Sequence, residues 1–247
     1  MFPQKILPPI SSVLKQSWLL YQKTLTHCFM LNFLLASFSV LPILLIPELQ
    51  NPPTPEAFQK GLQIFAPYLP FYVFGLVIFN AAIFYRVGYL MQDKLIPLPQ
   101  TYSFVLTKLF PLLGATILFG FAVGIGFLAL FIPGLIFATY LMFYQPLILF
   151  ANAGMFEAIE KSYLLVKGKV AYSIIIGAVA ISIVPFASTL LQILLETMDI
   201  TLPFELSLAV EIILNCFLAS FFHCTLLVFY GILINFNQIK VSESFVA

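Results

Sequence analysis

Residues Phe131 to Lys169 read FIPGLIFATYLMFYQPLILFANAGMFEAIEKSYLLVKGK, and this stretch decides the fold. Pro133-Gly134 marks a turn between two long apolar runs. Pro146 interrupts the second run, and an amphipathic, charged segment follows it. The pattern predicts a hairpin that enters a membrane, returns, and lands on a helix lying along the surface. No catalytic constellation is visible in it.

Working outward, the composition supports the same class. Of 247 residues, 62% are hydrophobic and 9% charged, against roughly 25% charged in an ordinary soluble domain. The mean hydropathy is +1.06. The apolar runs are near the roughly 20 residues that cross a hydrocarbon core of about 30 Å. They do not alternate in polarity as barrel strands would, and lipid leaves helices as the way to close backbone hydrogen bonds. The expected fold is an all-α polytopic bundle, a single membrane domain over residues 1–247. Six spans are expected, at 28–46, 67–91, 109–132, 134–150, 170–195 and 207–236, with cytosolic amphipathic helices between them. The first apolar run reads as an uncleaved anchor, because it exceeds a signal core and has no clear small-x-small cleavage site.

Charge orients these spans. Ten of the eleven basic residues fall on one side: Lys5, Lys15, Lys23, Arg86, Lys94, Lys108, Lys161, Lys167, Lys169 and Lys240. Only Lys60 falls on the other. In short loops this bias puts both termini in the cytoplasm. The net charge of +1 comes with no basic stripe, so nucleic acid is not an expected partner.

Several local readings follow along the chain. Pro9 to Thr26 has helical apolar spacing, with Trp18 and Tyr21 placed for headgroup depth. It reads as an interfacial helix or, more plainly, as a lead-in to the first span. Thr54-Pro55-Glu56 has the form of a helix start, with Phe58, Leu62 and Phe65 inward. Gly120-x-x-x-Gly124, with Ala122 and Gly126 nearby, is a close-packing face, either between two chains or, as expected here, within one bundle. Pro146 and Pro185 are expected to kink their helices.

A short pattern recurs three times, at Ser17-Trp18-Leu19-Leu20, Ser103-Phe104-Val105-Leu106 and Ser162-Tyr163-Leu164-Leu165. A lysine follows each copy: Lys23, Lys108 and Lys167. It predicts three parallel units, each a surface helix, a span out and a span back. Many transporters instead use inverted repeats and broken midplane helices.

Chemistry-bearing residues are few. There is no phosphate loop, zinc signature, nucleophile elbow or Cys-x-x-Cys pair, so no cofactor, metal or enzymatic activity is expected. Cys28, Cys216 and Cys224 read as apolar fillers. The polar group worth weighing is Glu211, Asn215 and His223 in the last span. An ionisable group at membrane depth is a default site hypothesis. The reading favoured here is interhelical hydrogen bonding, with Asn80 as a partner and Glu211 near enough to the outer surface to reach water. Lys161, Lys167 and Lys169 form a candidate basic surface for anionic headgroups.

The set Pro133-Gly134, Pro146, Ala158, Ser162, Leu165 and Gly168 resembles the pattern of YciC-type bacterial inner-membrane proteins. The same pattern occurs in the membrane domain attached to some glycerophosphodiester phosphodiesterases. The resemblance implies six spans in a bacterial inner membrane and no established activity. The phosphodiesterase catalytic domain has no counterpart here. The expected function is a non-enzymatic, multi-pass accessory or membrane-organising component. Its expected partners are membrane lipids and other proteins, or further copies of itself. The alternative is a transporter or channel for a small solute, using the polar face of the last span.

Overall fold

A chain surrounded by lipid must close its backbone hydrogen bonds locally. The computed structural model describes residues 7–50, 54–200 and 202–237, and the regular structure among them is helical throughout. In order these are α1 (Ile10–Ser39), α2 (Leu41–Leu45), α3 (Pro47–Gln50), α4 (Pro55–Phe65), α5 (Leu69–Leu90) and α6 (Leu98–Thr107). There follow α7 (Leu109–Ala129), α8 (Phe131–Leu141), α9 (Tyr144–Phe150), α10 (Met155–Val166), α11 (Val170–Thr197) and α12 (Phe204–Asn237). The protein is an all-α membrane bundle. Five helical segments among the described residues are long and apolar enough to cross a bilayer: Pro55–Leu90, Leu109–Ala129, Phe131–Phe150, Val170–Thr197 and Phe204–Phe236.

The expected first span is α1, and it differs from expectation. It is one 30-residue helix, so Pro9 to Thr26 forms no separate interfacial helix. No glycine or proline interrupts the chain between Pro9 and Pro42, so nothing breaks the helix where the surface segment was expected to end. Its polar residues leave α1 outside those five segments, and several of them are buried between helices. Thr24 Oγ1 lies 3.3 Å from Cys224 Sγ, Asn32 Nδ2 donates to Ser220 Oγ, and the Tyr21 hydroxyl donates to the Phe217 carbonyl at 2.6 Å.

Each expected hairpin packs on itself, α1 on α5, α7 on α8 and α11 on α12, and the extensive α1–α12 contact joins the first unit to the last. Two hairpins are also latched at the lysine-bearing end. The turn after α5 holds Asp93 at φ +59°, and Asp93 pairs with Lys23 of α1. The turn after α9 holds Asn152 at φ +52°, and its side chain accepts from Lys108 at the start of α7. Asp and Asn are the residues that enter this left-handed region most readily after glycine. In both cases the lysine of the repeated pattern meets the turn that closes its own hairpin. The second and third units have the expected short leading helix, α6 and α10, whereas the first has it fused into α1.

At the other end, Thr54 caps α4, its Oγ1 accepting from the Ala57 N–H at 3.2 Å. Phe58 and Leu62 do not point inward, being 47% and 46% exposed. Phe65, in contrast, is half-buried against Tyr72, 5.3 Å between ring centroids, and Gly61 packs against Leu49. The α4 helix runs on through a 3-10 turn, Ala66–Tyr68, into α5.

The quoted stretch departs from expectation in an informative way. The reversal between α7 and α8 is at Leu130 (φ −167°, ψ 156°), while Pro133 and Gly134 lie inside the first turn of α8. Gly126 and Gly134 are in close contact, and a Cβ on Gly126 would fall 2.7 Å from the Gly134 Cα. Gly120 and Gly124 meet nothing within 4 Å, so of these three glycines it is Gly126 that packs within the bundle.

The packing is uneven along the membrane normal. On α5 every residue from Ala81 to Gly88 is buried, yet Val77 is the sole buried residue from Leu69 to Asn80. On α11 the buried residues, Ser173, Ile176 and Ala180, all precede Ile181. On α12 burial is continuous from His223 to Tyr230 and sparse before Cys216. The helices close tightly at the lysine-bearing end and diverge towards the other.

Candidate functional site

The divergence leaves a cavity of about 700 Å³ among α5, α7, α8, α9, α11 and α12. Its construction begins at Pro146. Proline has no N–H to donate and its ring clashes with the carbonyl four residues earlier, here Met142. The fourth span accordingly breaks between α8 and α9, at Met142 and Phe143. A broken backbone inside a membrane protein must find partners, and Ser162 of α10 supplies them. Its hydroxyl donates to the Tyr140 carbonyl at 2.7 Å and accepts from the Phe143 N–H at 3.1 Å. Ser162 is fully buried, as are Ala158 and Leu165 on the same face of α10.

The break turns Tyr144 and Gln145 into the cavity wall. They form a directed chain with α7. Gln145 Nε2 donates to the Tyr144 hydroxyl at 3.0 Å, which lies 3.0 Å from Thr116 Oγ1. Thr116 spends its single proton on the Leu112 carbonyl at 2.8 Å. A hydroxyl has one donor, so Tyr144 donates to Thr116. The Gln145 carbonyl oxygen has no partner among the described residues.

Across the cavity stands Asn80 of α5. Its Nδ2 donates to the Leu76 carbonyl at 2.9 Å, and its Oδ1 lies 3.2 Å from His223 Nε2. His223 Nδ1 lies 3.0 Å from the Ala219 carbonyl. A neutral ring has one N–H and serves one of these oxygens at a time. His223 is 2% exposed and packs edge-on against Phe84, 4.6 Å between centroids. The remaining wall is apolar apart from Thr139 and Ser182, whose hydroxyls bond back to the Leu135 and Val179 carbonyls, and no charged side chain among the described residues lines it.

The expected face of Glu211, Asn215 and His223 is not one face. Only His223 reaches the cavity's polar residues. Asn215 Nδ2 bonds back to the Glu211 carbonyl at 3.0 Å, and Glu211 is exposed. Residues four apart drift by about 40° per step on a helix of 3.6 residues per turn, so three such steps carry Glu211 about 120° away from His223. The basic surface is partly engaged. Lys161 pairs with Glu157 at 2.6 Å, Lys167 lies over the Tyr163 ring at 5.7 Å, and Lys169 over the Phe236 ring at 4.6 Å. Glu157 is held below the usual carboxylate range, first by Lys161 and then by the Gly154 N–H.

Tyr144, Gln145 and Thr116 stand in no recognisable sequence motif. One signal was present: a glutamine directly before a proline, deep in an apolar run, marks a polar group beside a helix break. Another unweighed group is Arg86, 8% exposed, whose Nε and Nη1 are buried without a hydrogen-bond partner among the described residues.

Comparison with family models, curated proteins and solved structures produced no match.

Proposed function

We propose that this protein is a non-enzymatic membrane component, of the YciC type and in a bacterial inner membrane with cytoplasmic termini, that acts through lipid and protein contacts. The observation that carries this reading is the wedge. One end is closed and ringed by lysines, suited to anionic headgroups, and the other end is open and apolar. A lysine near an anionic leaflet contributes about 1 kcal/mol of attraction. Replacing Lys161, Lys167 and Lys169 together with glutamine should therefore lower the anionic lipid that co-purifies in mild detergent, with insertion unchanged. Unaltered lipid and protein content in that variant would sink the reading.

A second reading, carriage of a small solute, is favoured by one observation. The fourth span is discontinuous and presents Tyr144 and Gln145 to the cavity, as broken helices do in many transporters. The apolar wall favours an apolar passenger over a hydrophilic one. A single cysteine at Ala138, in a cysteine-free background, distinguishes the two. Rapid labelling by a water-soluble reagent would promote transport, and protection would leave the accessory reading ahead.

A further inference from the structure

Building on the lipid-contact reading above, we infer that the cavity is a binding site for a neutral amphiphile, with an oxygen-bearing head and one apolar chain, held head-inward. Four features of the cavity specify that class.

The first is size. At about 700 Å³ the cavity lies within the range of about 300–1,000 Å³ that small-molecule sites occupy. Along α5 its wall runs from Val73 to Phe84, a rise of about 16 Å at 1.5 Å per residue. That is close to half of a hydrocarbon core of about 30 Å, the reach of one lipid chain.

The second is polarity. Asn80, Thr116, Thr139, Tyr144, Gln145 and Ser182 are amides and hydroxyls, and among the described residues the wall has neither a cation to meet a phosphate nor an acid to meet an amine. A charged head here would be desolvated without a counter-charge, which costs several kcal/mol. A hydroxyl or carbonyl head needs only the hydrogen bonds on offer. The Gln145 carbonyl oxygen accepts from a hydroxyl, and amide N–H groups of Gln145 and Asn80 beyond those already bonded can donate to an oxygen.

The third is direction. Asn80 lies near the middle of α5, so the polar groups are deep. The outer wall is apolar at Val73, Ile181 and Pro185, and its hydroxyl, on Ser182, bonds back to the Val179 carbonyl at 3.3 Å. A phospholipid resting in its own leaflet has the opposite order, with head outside and chain end at the midplane. The cavity therefore suits a ligand whose polar end travels inward, which a neutral head does at far lower cost than an ionic one.

The fourth is shape. Gly177 and Ala178 line the α11 wall. A Cβ on Gly177 would meet only Met142 Sδ at 3.8 Å, so a large side chain there extends into the space.

The test uses the full chain in phosphatidylcholine nanodiscs at pH 8, with two photoreactive probes of equal length: a diazirine-bearing hexadecanol and the matching hexadecanoate. We expect saturable labelling by the alcohol on peptides of α8, α9 and α11, at least tenfold above the carboxylate. Gly177→Phe should abolish the saturable part, and Gly124→Phe, on the open face of α7, should leave it intact. Gln145→Leu keeps the volume and should erase the preference for the alcohol while retaining chain labelling, which serves even where Gly177→Phe does not fold. Equal labelling by both probes, no saturation, or indifference to Gln145→Leu would each overturn the inference. If labelling fails while the triple lysine variant still loses anionic lipid, the cavity inference falls alone. If the lysine variant is also unchanged, the lipid-contact reading falls with it.

Discussion

The two ends of the bundle use similar apolar residues and pack them differently. At the lysine-bearing end, helices meet through small residues: Ala81, Ala82 and Gly88 on α5, Ala158 and Ser162 on α10, Ser173 on α11, Ser220 and Cys224 on α12. Backbones approach closely there, and large side chains such as Phe143, Phe229 and Tyr230 interlock between them. At the other end, Phe71, Phe121, Phe131 and Phe186 stand outward and exposed. Lipid solvates such rings as well as protein does, so no hydrophobic force draws those helices together. The difference teaches that apolarity decides membership of the bilayer, while small residues and satisfied polar groups decide which parts pack.

Substitutions at matched depth on either side test this directly. Phe143→Ala should cost about 3–5 kcal/mol, as large-to-small changes in a packed core do. Phe186→Ala, 71% exposed, should stay within about 0.5 kcal/mol. Denaturant unfolding in one detergent reads both, and equal losses would break the comparison. Next in size is Arg86→Met, which removes two orphaned buried donors from the packed half. It should raise stability by about 1–4 kcal/mol in neutral detergent. A lower melting temperature would instead mean that the guanidinium is paired with an anion when folded.

Ser162→Ala leaves the Phe143 N–H and the Tyr140 carbonyl without their partner. The expected loss is about 1–3 kcal/mol, with faster hydrogen exchange at the Phe143 amide. Unchanged exchange would show that the α8–α9 break is held by something other than α10. The smallest effect concerns Glu157 at the exposed start of α10. Its carboxyl is depressed when folded, so its contribution is present above the ordinary carboxylate range and fades as acidification titrates the folded group. The Gly154 amide shift should follow this titration below the ordinary carboxylate range and stay flat in Glu157→Gln. A flat wild-type curve would remove the capping contact.

Much of this was legible in the chain itself. Composition and run length were sufficient for an all-α membrane bundle, because lipid admits few other ways to satisfy a backbone. Thr54-Pro55 gave the start of α4, Glu157 and Lys161 their ion pair, and the spaced lysines the common end at which Lys23 and Lys108 are latched. Local rules reach these features because each depends on residues a turn or two apart, or on a count. The course of α1 was misread because polar residues that suggest a surface helix are here buried against α12, and burial depends on a partner about 190 positions away, as for Asn32 and Ser220.

The cavity belongs to the tertiary structure. Pro146 announced a break, but only the docking of Ser162 shows how its backbone is satisfied, and only the divergence of α5 from α8 and α11 makes the break face a space. His223 is divided: its bond to Asn80 was expected from the sequence and the structure shows it, whereas the rotation of its neighbours was not legible. Its sequence neighbours Asn215 and Glu211 rotate away around the helix, and its partner Asn80 comes from a span 143 residues earlier. The sequence by itself determined that the chain is apolar enough to enter the bilayer, since that follows from transfer energies summed along the chain. It did not determine the point of reversal, which falls at Leu130 rather than at Pro133-Gly134. Which polar groups face each other inside was decided only by packing, since interhelical contact depends on rotation and crossing angle, and apolar side chains are equally at home against lipid or protein.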